Sequence, residues 1–293
     1  MKNIEFFKNK KAVYSFEIFP PKKTSPVETV YRTLRQLHML QPDYISVTYG
    51  AGGTEPGNKT CDLAALIRHG YGVSSVAHIT CINSTKATVK AVLEELQANH
   101  IENLLALRGD RNENASSGEF RYASELIAFI QEHGDFDIAA ACYPEGHVES
   151  KSLEEDILHL KEKVDAGASH LVTQLFFDNH DFFRFMERCE KVGINVPVQA
   201  GIMPVLNINQ IKRIVSMCGA KIPAEMSKLF SRYETDPESM RSAGADYAVQ
   251  QIEELLQSGV AGIHLYTMNN AEAAEKITRQ LAPTLARLNG AQA

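Results

Sequence analysis

The sequence predicts a single-domain (β/α)8 barrel with an extra helix before the last strand, and three observations carry the prediction. Short apolar runs recur about every thirty residues, each is followed by a turn and an amphipathic stretch, and there are eight of them. The runs are residues 13–19, 44–48, 73–79, 104–107, 138–142, 170–175, 198–202 and 262–266. Eight strands alternating with helices suit a closed parallel barrel better than an open doubly wound sheet, which has about five to seven strands and a switch point.

Between the runs lie helical patterns such as 86–99, 152–166 and 245–258, and 271–288 closes the count. The last interval is about twice the others, and 222–231, with Pro223 near its start, reads as the inserted helix. No Pro/Ser-rich tract, low-complexity segment or charge block divides the chain, so residues 1–293 are expected to form one domain.

Composition narrows the partners. A net charge of -6 and a pI near 5.9 provide no basic field for nucleic acid or an anionic membrane, which leaves small molecules as the expected ligands. The N-terminus has no apolar leader and no stretch approaches the ~20 apolar residues of a membrane span, so a soluble cytoplasmic protein is expected. The five cysteines are scattered without a CxxC pair, and are read as reduced, mostly core residues. Ten histidines show neither HxH nor HExxH, so no metal site is expected; GxGxxG, P-loop and GxSxG motifs are also missing.

A barrel of this kind works at the carboxyl ends of its strands, and polar residues gather there. Strand one ends in Glu17-Ile18-Phe19-Pro20-Pro21, strand two in Thr48-Tyr49-Gly50, strand three in His78-Ile79-Thr80 and strand four in Arg108-Gly109-Asp110; Tyr143, His147, Gln174 and Tyr266 continue the series. Glu17 shares strand parity with Val13 and Ser15, which aims it into the barrel mouth, while Tyr14, Phe16 and Ile18 face the helices. There it is either a general acid among apolar neighbours or the partner of a barrel Lys or Arg. Gly109 lets the backbone approach a flat ring or phosphate, although an ordinary βα turn has the same letters.

Asp156, His159 and Lys163 stand at i, i+3 and i+7 of one helix, offering an acceptor for ribose hydroxyls and a cation for phosphate, or else a solvated face. His78 is a donor toward a cofactor or a hydrogen-bonded core residue. Gly50-Ala51-Gly52-Gly53 lacks dinucleotide-motif spacing and reads as a flexible strand-two loop.

Taken in order, eight blocks resemble those of the bacterial methylenetetrahydrofolate reductase family, from about residue 12 to 285. They are Ser15-Phe16-Glu17-Ile18-Phe19-Pro20-Pro21, Ser46-Val47-Thr48-Tyr49-Gly50, Ala77-His78-Ile79-Thr80-Cys81, Leu105-Ala106-Leu107-Arg108-Gly109-Asp110, Ala141-Cys142-Tyr143-Pro144-Glu145-Gly146-His147, Thr173-Gln174-Leu175-Phe176-Phe177-Asp178, Gly201-Ile202-Met203-Pro204 and Leu265-Tyr266-Thr267-Met268-Asn269.

The resemblance implies a bound FAD, reduced by diffusible NADH or NADPH, which then leaves so that methylenetetrahydrofolate can occupy the same face in a ping-pong cycle supplying methyl groups for methionine. It makes Glu17 the acid that opens the methylene bridge to an electrophilic iminium, and Asp110 a catalytic group between flavin and pterin. FAD would be lined by Thr48, Tyr49, His78, Arg108, Gly109, Asp110, Ala123, Tyr143, His147, Ser150, Asp156, His159 and Lys163. The substrate would meet Asp110, Gln174, Gln210, Tyr266 and the Asn270 position.

The chain departs from the family pattern at His159, where relatives carry Asn, and at Glu162 and Asn270, where they carry Arg. At Ile214 it lacks a common aromatic. The resemblance further implies a homo-oligomer and no C-terminal regulatory domain. Two other readings stand beside it: a flavin-free barrel enzyme using Glu17 and Asp110 as acid–base partners, and a subunit to which a partner protein, rather than NADH, delivers electrons.

Overall fold

The computed structural model describes residues 1–21, 27–49, 59–110 and 118–290, so the Gly50–Gly53 stretch lies outside the described residues. Eight parallel strands close on themselves in sequence order: β1 (Val13–Ile18), β2 (Tyr44–Val47), β3 (Ser74–Thr80), β4 (Asn103–Leu107), β5 (Asp137–Cys142), β6 (His170–Thr173), β7 (Val198–Ile202) and β8 (Gly262–Tyr266). β8 pairs with β1, placing Ser15 opposite His264 and Glu17 opposite Tyr266. The expected barrel is therefore present, with strand ends within one or two residues of the predicted ones.

The helices are α1 (Ile4–Asn9), α2 (Val27–Leu37), α3 (Lys59–Ala65), α4 (Lys86–Ala98), α5 (Ala123–His133), α6 (Leu153–Asp165), α7 (Asn179–Lys191), α8 (Ile208–Cys218), α9 (Ala224–Arg232), α10 (Pro237–Gln257) and α11 (Ala271–Leu288). α9, entered at Pro223, is the predicted inserted helix. α10 begins earlier than its apolar pattern suggests, at Pro237 after the Asp236 cap. Gly244 inside it is a packing residue, because a Cβ there would lie 1.8 Å from the Val205 carbonyl oxygen.

Strand parity divides the core. Phe16, Ile18, Ile45, Val47, Ile79, Leu104, Ile138 and Leu171 point outward and pack under the helices, forming the large layer between sheet and helices. Val13, Tyr44, Val76, Leu105, Ala139 and Val172 point inward as a small apolar plug. A third cluster of Leu175, Phe177, Met203, Val205, Ile211, Met226 and Phe230 binds α8 and α9 over the ends of β6 and β7, with Ile214 packed against it.

α1 closes the amino-terminal end of the barrel. Phe6 and Phe7 pack against the inner plug, the Asn3 amide donates to Asn103 Oδ1 at 2.7 Å, and the Ile4 amide donates to Asp137 Oδ2 at 2.7 Å. Every described cysteine is a free thiol, four of them buried, as expected.

Candidate active site

Glu17 is carried to the open end of the barrel by β1 and is buried. Its Oε2 lies 3.5 Å from His78 Nε2 on β3 and 3.6 Å from His264 Nε2 on β8. Its partners are thus two imidazoles, neither the apolar surround nor the Lys or Arg that the sequence suggested. Burial pushes the His78 pKa down to about 4, with Glu17 opposing that shift, so at neutral pH this imidazole is uncharged.

His264 faces the candidate site and was not among the residues singled out from the sequence, although its parity with Tyr266 on β8 was available as a signal. A hydrogen-bonded layer beneath Glu17 orients it. Tyr44 Oη donates to Gln199 Oε1 at 2.5 Å, and Gln199 Nε2 donates to Ser15 Oγ at 2.8 Å and to the Ile263 carbonyl at 2.9 Å. Ser15 Oγ in turn lies 2.7 Å from His264 Nδ1 and 3.5 Å from Ile263 O. On the other side of the ring, His264 Nε2 faces Ser46 Oγ at 3.4 Å and the Glu17 carboxyl.

A second group of predicted residues meets beside β4 and β5. Arg108 is held by a bidentate ion pair with Glu149, at 2.6 and 2.7 Å. Gly109 has φ +83, and a Cβ there would lie 3.0 Å from Thr80 Cβ, so the turn has little room for any other residue. Lys163 Nζ donates to the Ala141 carbonyl at 2.9 Å and sits 5.5 Å from the Tyr143 ring centroid; burial lowers its pKa. Tyr143 meets His147 edge to face at 4.8 Å, and Ser150 Oγ donates to Asp156 Oδ1 at 2.8 Å. Burial, then the Arg108 charge, lower the His147 pKa.

The predicted α6 stripe splits. Asp156 is buried and Lys163 reaches the Ala141 carbonyl, whereas His159 is exposed and stacks on Tyr122, 6.3 Å away. Ala123 opens α5 and is buried. Asp110 is exposed at the β4 exit, its carbonyl held by Asn83 Nδ2 at 3.1 Å, and Glu162 is exposed on α6. Tyr49 is half-buried just past β2.

On the opposite rim, Tyr266 Oη donates to the Thr173 carbonyl at 2.6 Å, and Gln174 Oε1 accepts from Leu175 N at 2.9 Å. Gln210 is exposed in the first turn of α8. Asn270 is the N-cap of α11, its Oδ1 accepting from Ala273 N at 3.0 Å, so this side chain is engaged in helix capping.

Among the described residues, Thr48 Oγ1 and His78 Nε2 are buried without a hydrogen-bond partner, and both come from strands that open into the mouth. Buried polar atoms of this kind ordinarily have a partner, and their position beside Glu17 suits a polar ligand. No group of His, Cys, Asp and Glu suited to a metal occurs among the described residues.

A family model described as methylenetetrahydrofolate reductase matches residues 2–282. The chain belongs to the methylenetetrahydrofolate reductase family. The 5,10-methylenetetrahydrofolate reductase of Escherichia coli K12 is 38% identical over 267 residues, covering 91% of this chain and 90% of that protein. The Pectobacterium carotovorum protein of the same name is 36% identical over 275 residues, covering 93% and 92%. Methylenetetrahydrofolate reductase (NADH) 1 of Arabidopsis thaliana is 34% identical over 284 residues, which are 92% of this chain and 48% of that one.

Among solved structures, an uncharacterized Clostridium thermocellum protein that binds two copies of 5-methyl-5,6,7,8-tetrahydrofolic acid aligns with TM-score 0.66 at 11% identity, over 96% of this chain and 99% of that one. At that identity the likeness shows the barrel fold alone.

Proposed function

We propose that this member of the family binds FAD in the barrel mouth and reduces 5,10-methylenetetrahydrofolate to 5-methyltetrahydrofolate with NADH or NADPH. The observation that carries the reading is Glu17, a buried carboxyl at the strand ends, flanked by two imidazoles. The neighbouring residues fit the cofactor: orphaned Thr48 Oγ1 and His78 Nε2 offer polar contacts, Gly109 removes a side chain from a tight turn, and Arg108 and Lys163 place two cations nearby. Tyr49, Asp110, Ala123, Tyr143, His147, Ser150, Asp156 and His159 complete the proposed lining.

When bound, FAD supplies two-electron chemistry, accepting a hydride from the nicotinamide and returning it to the folate methylene carbon. In this reading Glu17 gives a proton to folate N10, breaking the bond from N10 to the methylene carbon and leaving that carbon bound to N5 and electrophilic. Hydride addition then makes the methyl group, so one hydride and one proton are consumed. Asp110 hydrogen-bonds the pterin, and Gln174, Gln210 and Tyr266 bound the folate side of the mouth. His264 Nε2 faces the carboxylate that remains after proton transfer.

The same reading makes the exchange ping-pong at one face, supplies methyl groups for methionine, and expects a cytoplasmic homo-oligomer; no described helix is long and apolar enough to cross a membrane. The test is the anaerobic visible spectrum of purified protein before NADH or NADPH, after it, and after methylenetetrahydrofolate. A flavin band that bleaches and returns supports the proposal, and Glu17→Gln should bleach but not return. Absence of flavin even after reconstitution overturns it. A flavin left oxidised by both nicotinamides makes a partner protein the electron donor.

A further inference from the structure

Past the last β1–β8 pair, Glu17 opposite Tyr266, the two strands stay joined through side chains. Thr267 Oγ1 donates to the Glu17 carbonyl at 2.6 Å and accepts from the Asn269 amide at 3.2 Å. Asn269 Oδ1 accepts from the Phe19 amide at 2.9 Å while its Nδ2 donates to the Phe19 carbonyl at 2.9 Å. One side-chain amide thus satisfies both backbone groups of Phe19, as a continuing strand would. The next residues, Pro20 and Pro21, have no N–H with which to take over the pairing.

The backbone takes up a strained form to make this possible. Met268 and Asn269 both lie in the left-handed region, with φ 51 and φ 57, and the strain falls on Met268, since asparagine tolerates that region better. Thr33 on α2 adds a weaker bond to the Asn269 carbonyl at 3.4 Å. The held segment is the one that carries Glu17, and the bonds join residues 250 positions apart in sequence.

We propose that Asn269, with Thr267, is a positioning residue that fixes the end of β1 so that the Glu17 carboxyl stands at its working distance from the substrate. This rests on the reading of Glu17 as the acid. Removing the clamp leaves the β1–β8 ladder intact below Glu17 but frees Phe19, and displacement of an acid by an ångström slows a proton-dependent step by up to about 100-fold.

The test uses flavin-loaded protein and two variants, Asn269→Ala and Asn269→Gly; glycine adopts the left-handed conformation at 269 without steric cost and so keeps the fold while losing the clamp. Expected are wild-type bleaching by NADH, unchanged folate Kd, and a return of the flavin band slowed about 10- to 100-fold in both variants. Asn269→Asp, which keeps the acceptor for Phe19 N–H and loses the donor to Phe19 O, should be intermediate. Wild-type return in the glycine variant beside a Glu17→Gln protein that does not return overturns the clamp alone. Equal slowing of both half-reactions also overturns it, as a general structural effect. A Glu17→Gln protein that returns at the wild-type rate removes the acid role, and the proposal with it.

Discussion

Two histidines buried in the barrel make stability fall on the acid side, by an amount that can be worked out. His78, facing Glu17 and His264, and His170, facing Asp137, both have their pKa lowered by burial from the ordinary 6.5 to about 4. For His170 the hydrogen bonds agree. Ser169 Oγ donates to Asp137, so the 2.9 Å contact with His170 Nδ1 uses the imidazole hydrogen, and Nε2 is left as a buried acceptor without a partner.

The folded-state pKa lies below the unfolded one, so between the two values the unfolded chain binds a proton that the folded chain does not. Stability is therefore intact above about pH 6.5 and falls as pH drops toward 4. Each histidine costs almost nothing at pH 7, about 2 kcal/mol at pH 5 and about 3 kcal/mol at pH 4.

The measurement is urea unfolding of flavin-free protein at pH 7, 6 and 5. Wild type should lose about 4 kcal/mol between pH 7 and pH 5 from this pair, in addition to what its carboxylates contribute. His78→Gln and His170→Asn should each lose about 2 kcal/mol less over the same interval, whatever their stability at pH 7. A variant with the same pH 7 to pH 5 loss as wild type refutes the assignment of a neutral buried imidazole at that position.

Two further perturbations follow from the packing. Asp137→Ala strands the Ile4 amide and shifts the Ser169 hydroxyl to its longer bond with the Ile138 carbonyl, which should cost about 1–3 kcal/mol and expose the first ten residues to limited proteolysis; a wild-type digestion pattern at unchanged stability counts against the tie. Gly201→Ala would put a Cβ 2.2 Å from the Thr173 carbonyl oxygen and 2.6 Å from Tyr266 Oη, so Tyr266 must leave its bond to Thr173 or β7 must shift. A loss of about 1–3 kcal/mol in thermal unfolding is expected, and an unchanged melting temperature argues against so close a fit.

Much of the barrel was legible because its outward-facing residues obey simple rules. Phe16, Ile18, Ile45 and Val47 alternate with inward residues, and each run ends in a turn, so strand count, order and parity could be read from the pattern. Glu17 was legible for the same reason. Its surroundings were not, because register decides them: Ser15 meets His264 and Glu17 meets Tyr266 only once β8 closes against β1, across most of the chain. Arg108 was legible as a strand-end cation, but its partner Glu149 comes from a loop whose path no periodicity fixes. Asn270 carries two readings at once. Read by position it belonged to the substrate, yet an asparagine just before a helix is also a cap, and its side chain takes that role here.

The polar layer under Glu17 explains why sequence pattern alone does not reach the chemistry of this site. A barrel interior is ordinarily filled by branched apolar side chains, and Val13, Val76, Leu105 and Val172 follow that rule. Ser15, Ser46, Gln199 and His264 break it on β1, β2, β7 and β8, and all four are buried. Such groups are tolerated only when nearly every donor finds an acceptor, and the chain from Tyr44 through Gln199 and Ser15 to His264 meets that condition. The chain ends on His264, whose Nε2 faces the carboxyl at 3.6 Å. The orientation of this Glu17 partner is thus fixed by three residues on three other strands, Ser15 on β1, Tyr44 on β2 and Gln199 on β7, none of which was singled out as a candidate from the sequence.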